Sequence, residues 1–186
     1  METDPTFLNA VRMMDRDALT SVFDQYAPSL HGYALRLCSN SLLADHIVGD
    51  VFARLLDKLA SGNGPRDNLR SYLFEITYHL IVDEVRYSRR IVPLDVTDYL
   101  RPDRYSAYVG LENRMGFEKM LRAIQQDLTD YQRHVIILRF FEGFSMRETA
   151  KILGKSVSHV KAAQYRAIVT LRRVLAGHKY EMLAVA

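Results

Sequence analysis

Between residues 155 and 179 the chain carries six basic side chains, Lys155, Lys161, Arg166, Arg172, Arg173 and Lys179, and no acidic one. Ammonium and guanidinium groups bind phosphates, and the planar fork of Arg also reaches guanine edges in a DNA major groove. At about 100° per residue, Ser158, His159, Ala162, Arg166, Val169 and Arg173 fall on one side of a helix, with Lys161 and Tyr165 on its shoulder. Val157, Val160, Ala167, Ile168, Leu171 and Leu175 fall opposite, as a buried arc. Small residues among the basic ones permit close approach to base edges. A solvated amphipathic helix carries the same charge pattern, so the preceding residues have to decide between the two. Ser145 with Glu148 three residues on reads as a capping box, Gly154 as a helix stop, and Ser156 as the cap of the next helix. A short helix, a tight turn and a second helix with a basic face make a helix-turn-helix.

Other chemistries lack their residues. There is no P-loop, no G-x-G-x-x-G, no H-E-x-x-H and no G-x-S-x-G. The six histidines are scattered, and His31 with Cys38 is too thin for a metal site. The residues therefore indicate no enzyme, no metal and no cofactor. The single cysteine cannot form an internal disulfide and points to a reducing compartment. An acidic N-terminus without an apolar run is no signal peptide, and no stretch nears the ~20 apolar residues that span a bilayer. A cytoplasmic, nucleoid-associated protein without membrane insertion is expected.

The elements that hold the basic helix follow from period and punctuation. The chain has 186 residues, 48% hydrophobic and 25% charged, enough for two small folded bundles. Helical period dominates and no strand run appears, which predicts an all-α fold. Helices are expected over 5–14, 16–38, 41–60, 68–90, 112–127, 130–142, 145–153 and 156–176. A turn-rich loop, "ASGNGPRDN", separates the third from the fourth. The stretch 92–111 has prolines, acids and tyrosines without helical period, and reads as a flexible linker between an N-terminal bundle, 1–91, and a C-terminal one, 112–178, followed by a tail, 179–186.

The N-terminal bundle carries surplus apolar surface. In "LLADHIVGDVFARLLDKLA", Leu43, Ile47, Val48, Val51, Phe52, Leu55, Leu56 and Leu59 cover more than half the circumference, edged by Asp45, Asp50 and Asp57. Either the helix is fully buried or it also meets another protein. In "LRSYLFEITYHLIVDEVRYSRR" two apolar stripes, Leu69-Leu73-Ile76-Leu80 and Phe74-Tyr78-Ile81-Val85, enclose a seam of Glu75, His79, Val82 and Arg86 flanked by Asp83. Tyr72, Phe74 and Tyr78 can stack on unpaired bases, but aromatics at this spacing are more often core.

This order resembles the extracytoplasmic-function (ECF) group of bacterial sigma factors, compact proteins with only the second and fourth sigma regions. "LLADHIVGDVFARLL" is similar to the helix that docks on the clamp helices of the polymerase β′ subunit, which implies a core-binding set of Asp45, Ile47, Val48, Asp50 and Phe52. "LRSYLFEITYHLIVDEVRYSRR" is similar to the helix that engages and opens the −10 element, which implies Asn63, Arg66 and Asn68 from the loop, with His79, Asp83 and Arg86. The segment from Leu128 to Arg173 is similar to the −35-reading region and implies Ser158, His159, Lys161, Ala162, Tyr165 and Arg166 at the major groove. Core RNA polymerase (β′ clamp helices and β flap), promoter DNA and an anti-sigma protein are the implied partners. The competing assignment is a stand-alone helix-turn-helix repressor or activator. The chain departs from the family pattern at His79 (usually Asn), Tyr72 (usually Trp), Gly49-Asp50 (often Gln-Glu), Thr129 (usually Pro) and Ala163 (often basic).

Overall fold

Most helices of this chain begin where a side chain can accept one of the free N–H groups of the first turn. The structure, a computed structural model, describes residues 5–91 and 111–184. The linker expected over 92–111 lies outside them, apart from Leu111. Eight α-helices and a π turn are found among the described residues, with no strand: α1 (Pro5–Arg12), α2 (Arg16–Cys38), α3 (Ser41–Ala60), α4 (Leu69–Ile91), α5 (Leu111–Asp127), α6 (Asp130–Ile136), the π turn (Ile137–Phe141), α7 (Met146–Ile152) and α8 (Val157–Ala184). None of these helices is long and apolar enough to cross a membrane. The chain divides into two compact units, the first built on α1–α4 and the second on α5, α6 and α8.

In the first unit the Asp15 carboxylate accepts from the Ala18 N–H at 2.9 Å to start α2. Ser39 ends α2 in the left-handed region, φ 53°, and Asn40 caps α3 by accepting from the Leu43 N–H at 3.0 Å. Two residues thus reverse the chain and bring α3 back along α2. Asn68 caps α4 in the same way, from the Ser71 N–H at 2.9 Å. The core lies among α2, α3 and α4, which pack pairwise on one another. Tyr26, Leu30 and Tyr33 of α2, Ile47, Val51 and Leu55 of α3, and Leu73, Phe74 and Ile81 of α4 are all buried. Tyr33 and Phe74 tilt against each other with ring centroids 5.4 Å apart. Burial, and secondarily the Glu84 carboxylate, pushes the Cys38 thiol up to about 12, so it stays protonated and unreactive.

In the second unit Thr129, where the family usually carries proline, forms a full capping box with Gln132. Ser145 and Glu148 form the predicted box: the Ser145 N–H donates to the Glu148 carboxylate at 2.8 Å, and the Glu148 N–H to the Ser145 hydroxyl at 3.2 Å. Gly154, at φ 60°, ends α7 as expected. Ile124, Leu128, Ile136 and Ala167 form a core on which Met120, Phe141, Ile168 and Leu171 pack. The helix expected over 130–142 changes to π winding at Ile137, where the Glu142 N–H reaches back five residues to the Ile137 carbonyl. The last helix does not stop at 176: Gly177 costs about 1 kcal/mol in a helix interior but the good helix formers beyond it carry α8 to Ala184, through most of the expected tail.

Candidate nucleic-acid interface

The Ser156 hydroxyl accepts from the His159 N–H at 3.2 Å and starts α8. Beyond it Val160, Ala163 and Ala167 are buried at three- and four-residue spacing, which fixes the opposite side of the helix outward. Ser158, His159, Lys161, Ala162, Tyr165 and Arg166 are all exposed on that side, Tyr165 at 71%. Val169, Arg172 and Arg173 continue it. The Ser158 hydroxyl lies 3.0 Å from the capping Ser156 hydroxyl, and the His159 ring meets Tyr131 of α6 edge-on at 5.1 Å. The face is narrow, basic along its length, and low in its middle at Ala162.

One detail differs from the sequence reading. Val157, placed on the buried arc, is 43% exposed, because as the first residue of α8 it stands ahead of the turn that packs. Ala163, at a position where the family is often basic, is only 1% exposed and belongs to the core, so it makes no DNA contact itself.

On α4, His79, Asp83 and Arg86 are exposed one turn apart, and so share a face. Asp83 and Arg86 approach to 4.0 Å, both well exposed, a contact worth under about 1 kcal/mol. Phe74 is fully buried and Tyr72 and Tyr78 half-buried, so these three rings act chiefly as core. Burial raises the phenol pKa of both tyrosines, helped by Glu75 at Tyr72 and opposed by Arg86 at Tyr78. In the loop, Asn63 and Arg66 are exposed. Asn63 donates its amide to the Ser61 carbonyl at 3.3 Å, while the Asn68 side-chain oxygen is already engaged as the α4 cap. At Gly64 an added Cβ would lie 2.5 Å from the Leu59 Cδ2, so a larger residue there requires the Leu59 side chain to move.

The apolar arc of α3 divides. Ile47 and Val48, expected at a docking surface, are only 3% and 8% exposed. Both are core residues, which corrects that expectation. Asp45 and Asp50 are exposed as expected, with Asp45 3.3 Å from the His31 imidazole. Phe52 is half-buried and tilts against Phe23 of α2, with centroids 4.8 Å apart. Phe23 and Leu56 beside it are 49% and 40% exposed. Phe23 was not singled out in the sequence; the signal was present only as an apolar residue at the seam of two amphipathic helices. In the second unit, an apolar groove of about 530 Å³ runs between α5, the π turn and α8, lined by Phe117, Met120, Ile136, Phe140, Ile168 and Leu171. Among the described residues no cluster of His, Cys, Asp and Glu is arranged to hold a metal ion.

Comparison with known proteins matches residues 22–91 to the family model Sigma-70 region 2 and residues 126–173 to Sigma-70, region 4. The ECF RNA polymerase sigma factor BldN of Streptomyces coelicolor is 27% identical over 87% of this chain, which spans 61% of that protein. The ECF RNA polymerase sigma factor SigX of Bacillus subtilis is 30% identical over 82% of this chain and 80% of its own length. The sigma factor RpoE of Bartonella quintana, solved in complex with the anti-sigma factor NepR, shares the fold with a TM-score of 0.66 at 24% identity, over 84% of this chain and 96% of that one. With both sigma regions matched in order, the chain belongs to the ECF group of RNA polymerase sigma factors.

Proposed function

We propose that this sigma factor brings core RNA polymerase to promoters by reading the −35 element with α8 and opening the −10 element with α4. The observation that carries this is the outward face of α8, where Lys161, Ala162, Tyr165 and Arg166 are all exposed on a helix whose other side is buried. Arg166 pairs with the acceptor edge of guanine or with phosphate, Lys161 with phosphate, and Ala162 leaves room for the helix to approach. Tyr165 offers an apolar ring to a thymine methyl and a hydroxyl to the backbone. Ser158 and His159 stand at the groove entrance.

On the first unit, His79, Asp83 and Arg86 with Asn63, Arg66 and Asn68 take the −10 strand as a base leaves the stack. His79, in place of the usual amide, presents one ring nitrogen at a time to a base edge and lacks the adjacent donor and acceptor of an Asn, so the base it prefers differs. Core polymerase docks through the β′ clamp helices on the exposed part of α3 and its neighbour, Phe23, Phe52 and Leu56, edged by Asp45 and Asp50. An apolar centre with charged edges is the composition of a protein interface. The β flap occupies the apolar groove of the second unit. An anti-sigma protein, of the kind found in complex with RpoE, restrains the factor. The chain contributes specificity and supplies no catalytic residue, and it works in the cytoplasm at the nucleoid. Membership of the sigma family argues against a stand-alone repressor or activator.

Arg166→Ala tests the reading. Run-off transcription from a −35-dependent promoter is expected to fall about tenfold, the equivalent of one lost contact to base edge or phosphate worth about 1–3 kcal/mol. Retention on core polymerase in a pull-down is expected to be unchanged. An undiminished transcript overturns the assignment of α8.

A further inference from the structure

Arg139, in the π turn, is not among the residues that face DNA. Its Nε donates to the Gln164 side-chain oxygen at 3.1 Å, and its Nη1 donates to the Phe144 carbonyl. One guanidinium therefore ties three places together: the π turn, the turn that leads into the helix-turn-helix, and the reading helix itself. Gln164 lies between Ala163, which is buried, and Tyr165, which is exposed, so it sits on the flank where the core side of α8 meets the DNA side.

The seam of α8 makes such a tie necessary. Over the stretch that faces DNA, 157–167, its fully buried residues are Val160, Ala163 and Ala167, two of the three alanines, and the larger Ile168 and Leu171 pack on the core only beyond it. Large side chains interlock ridges into grooves and resist rotation of a helix about its axis; alanines present a nearly smooth cylinder and resist it little. A directional hydrogen bond from a rigid fork supplies the missing constraint. We infer that Arg139 is a positioning residue for promoter specificity: through Gln164 it fixes the axial rotation of α8, and so the angle at which Lys161, Ala162, Tyr165 and Arg166 meet the base edges. Phosphate contacts tolerate small rotations because a charge acts at a distance, whereas base-edge hydrogen bonds do not.

The inference rests on the reading of α8 as the −35 helix, and its test separates the two. Holoenzyme assembled with core polymerase is offered a promoter library randomised across the −35 element, and enrichment of the best sequences over the mean is measured for wild type, Arg139→Met and Gln164→Leu. Arg139→Met is expected to cut that enrichment about tenfold, Gln164→Leu to cut it in the same direction, and the double variant to add nothing further. Core affinity and the slope of log K against log salt stay at wild-type values. A slope reduced by about 0.9 in Arg139→Met shows a direct phosphate contact and overturns the inference. So does wild-type enrichment left intact by both single variants. Should Arg139→Met unfold, as a thermal melt reads directly, Gln164→Leu decides, because it removes the same bond from an accessible side chain. A wild-type holoenzyme that enriches no −35 sequence at all overturns the underlying reading of α8 instead.

Discussion

His134 is a titratable side chain held inside an apolar bundle. It lies on α6 at 4% exposure, and burial lowers its pKa from 6.5 to about 3, with Asp130 pulling up and Arg133 pushing down. At pH 7 the imidazole is neutral in both folded and unfolded chains, and its ionisation contributes almost nothing. As the pH falls below 6.5 the unfolded chain takes up a proton that the folded chain refuses until about 3, so stability is lost through that window. The limiting slope is about 1.4 kcal/mol per pH unit, and the loss between pH 7 and 5 is on the order of 2 kcal/mol. His134→Gln removes the titration. Urea unfolding at the two pH values is expected to show that much less acid sensitivity in the variant, and equal sensitivity in the two proteins rules out the assignment. Cys38 illustrates the same effect with opposite sign, since burial favours the neutral thiol and raises its pKa.

The two sides of α3 give a contrast at the scale of the element. Ile47→Asp places a carboxylate among α2 and α4, where an unpaired charge costs several kcal/mol and lowers the melting temperature sharply. Phe52→Asp changes the half-buried rim beside Phe23 and Leu56, and is expected to keep the fold while weakening retention on core polymerase at least tenfold. Circular-dichroism melts run beside the pull-down check both, and a Phe52→Asp chain that melts normally and binds core normally removes α3 from the docking surface. This contrast marks how far the sequence could be read. The helices, the Ser145–Glu148 box and the Gly154 stop were legible because period and caps are local properties. The side of α3 that faces inward was not, since periodicity gives angles around one helix but not where its neighbours stand. Ala163 shares the three- and four-residue spacing of Val160 and Ala167, so its burial was legible in the period. The π turn has no side-chain signature, because it differs from an α-helix only in which carbonyl an N–H reaches.

At the scale of the whole molecule, the two families of contacts differ in physical kind. The first unit offers Phe23, Phe52 and Leu56 between isolated acids, a surface whose affinity comes mostly from apolar burial and depends little on ionic strength. The second offers α8, with Lys161, Arg166, Arg172 and Arg173 and no acid among them, a surface whose affinity for DNA, on the proposed reading, comes from displaced counterions. On the proposed reading, a chain of near-balanced charge, +3 overall, sets a run of basic residues without acids on the DNA-facing side of α8 and leaves Asp45 and Asp50 exposed beside the docking rim. The division predicts that salt separates the two functions. In holoenzyme binding to promoter duplex, the double substitution Lys161→Ala with Arg166→Ala is expected to reduce the magnitude of the log K against log salt slope by about 1.8, two phosphate-neutralising charges at about 0.9 each. Core affinity across the same salt range is expected to stay within twofold of wild type. A slope change nearer 0.9 means that one of the two side chains spends its charge on a base edge instead of a phosphate; the single substitutions then identify it, with Arg166 expected to be that residue because only its fork matches guanine bidentately. No change of slope in the double variant removes α8 from the DNA altogether.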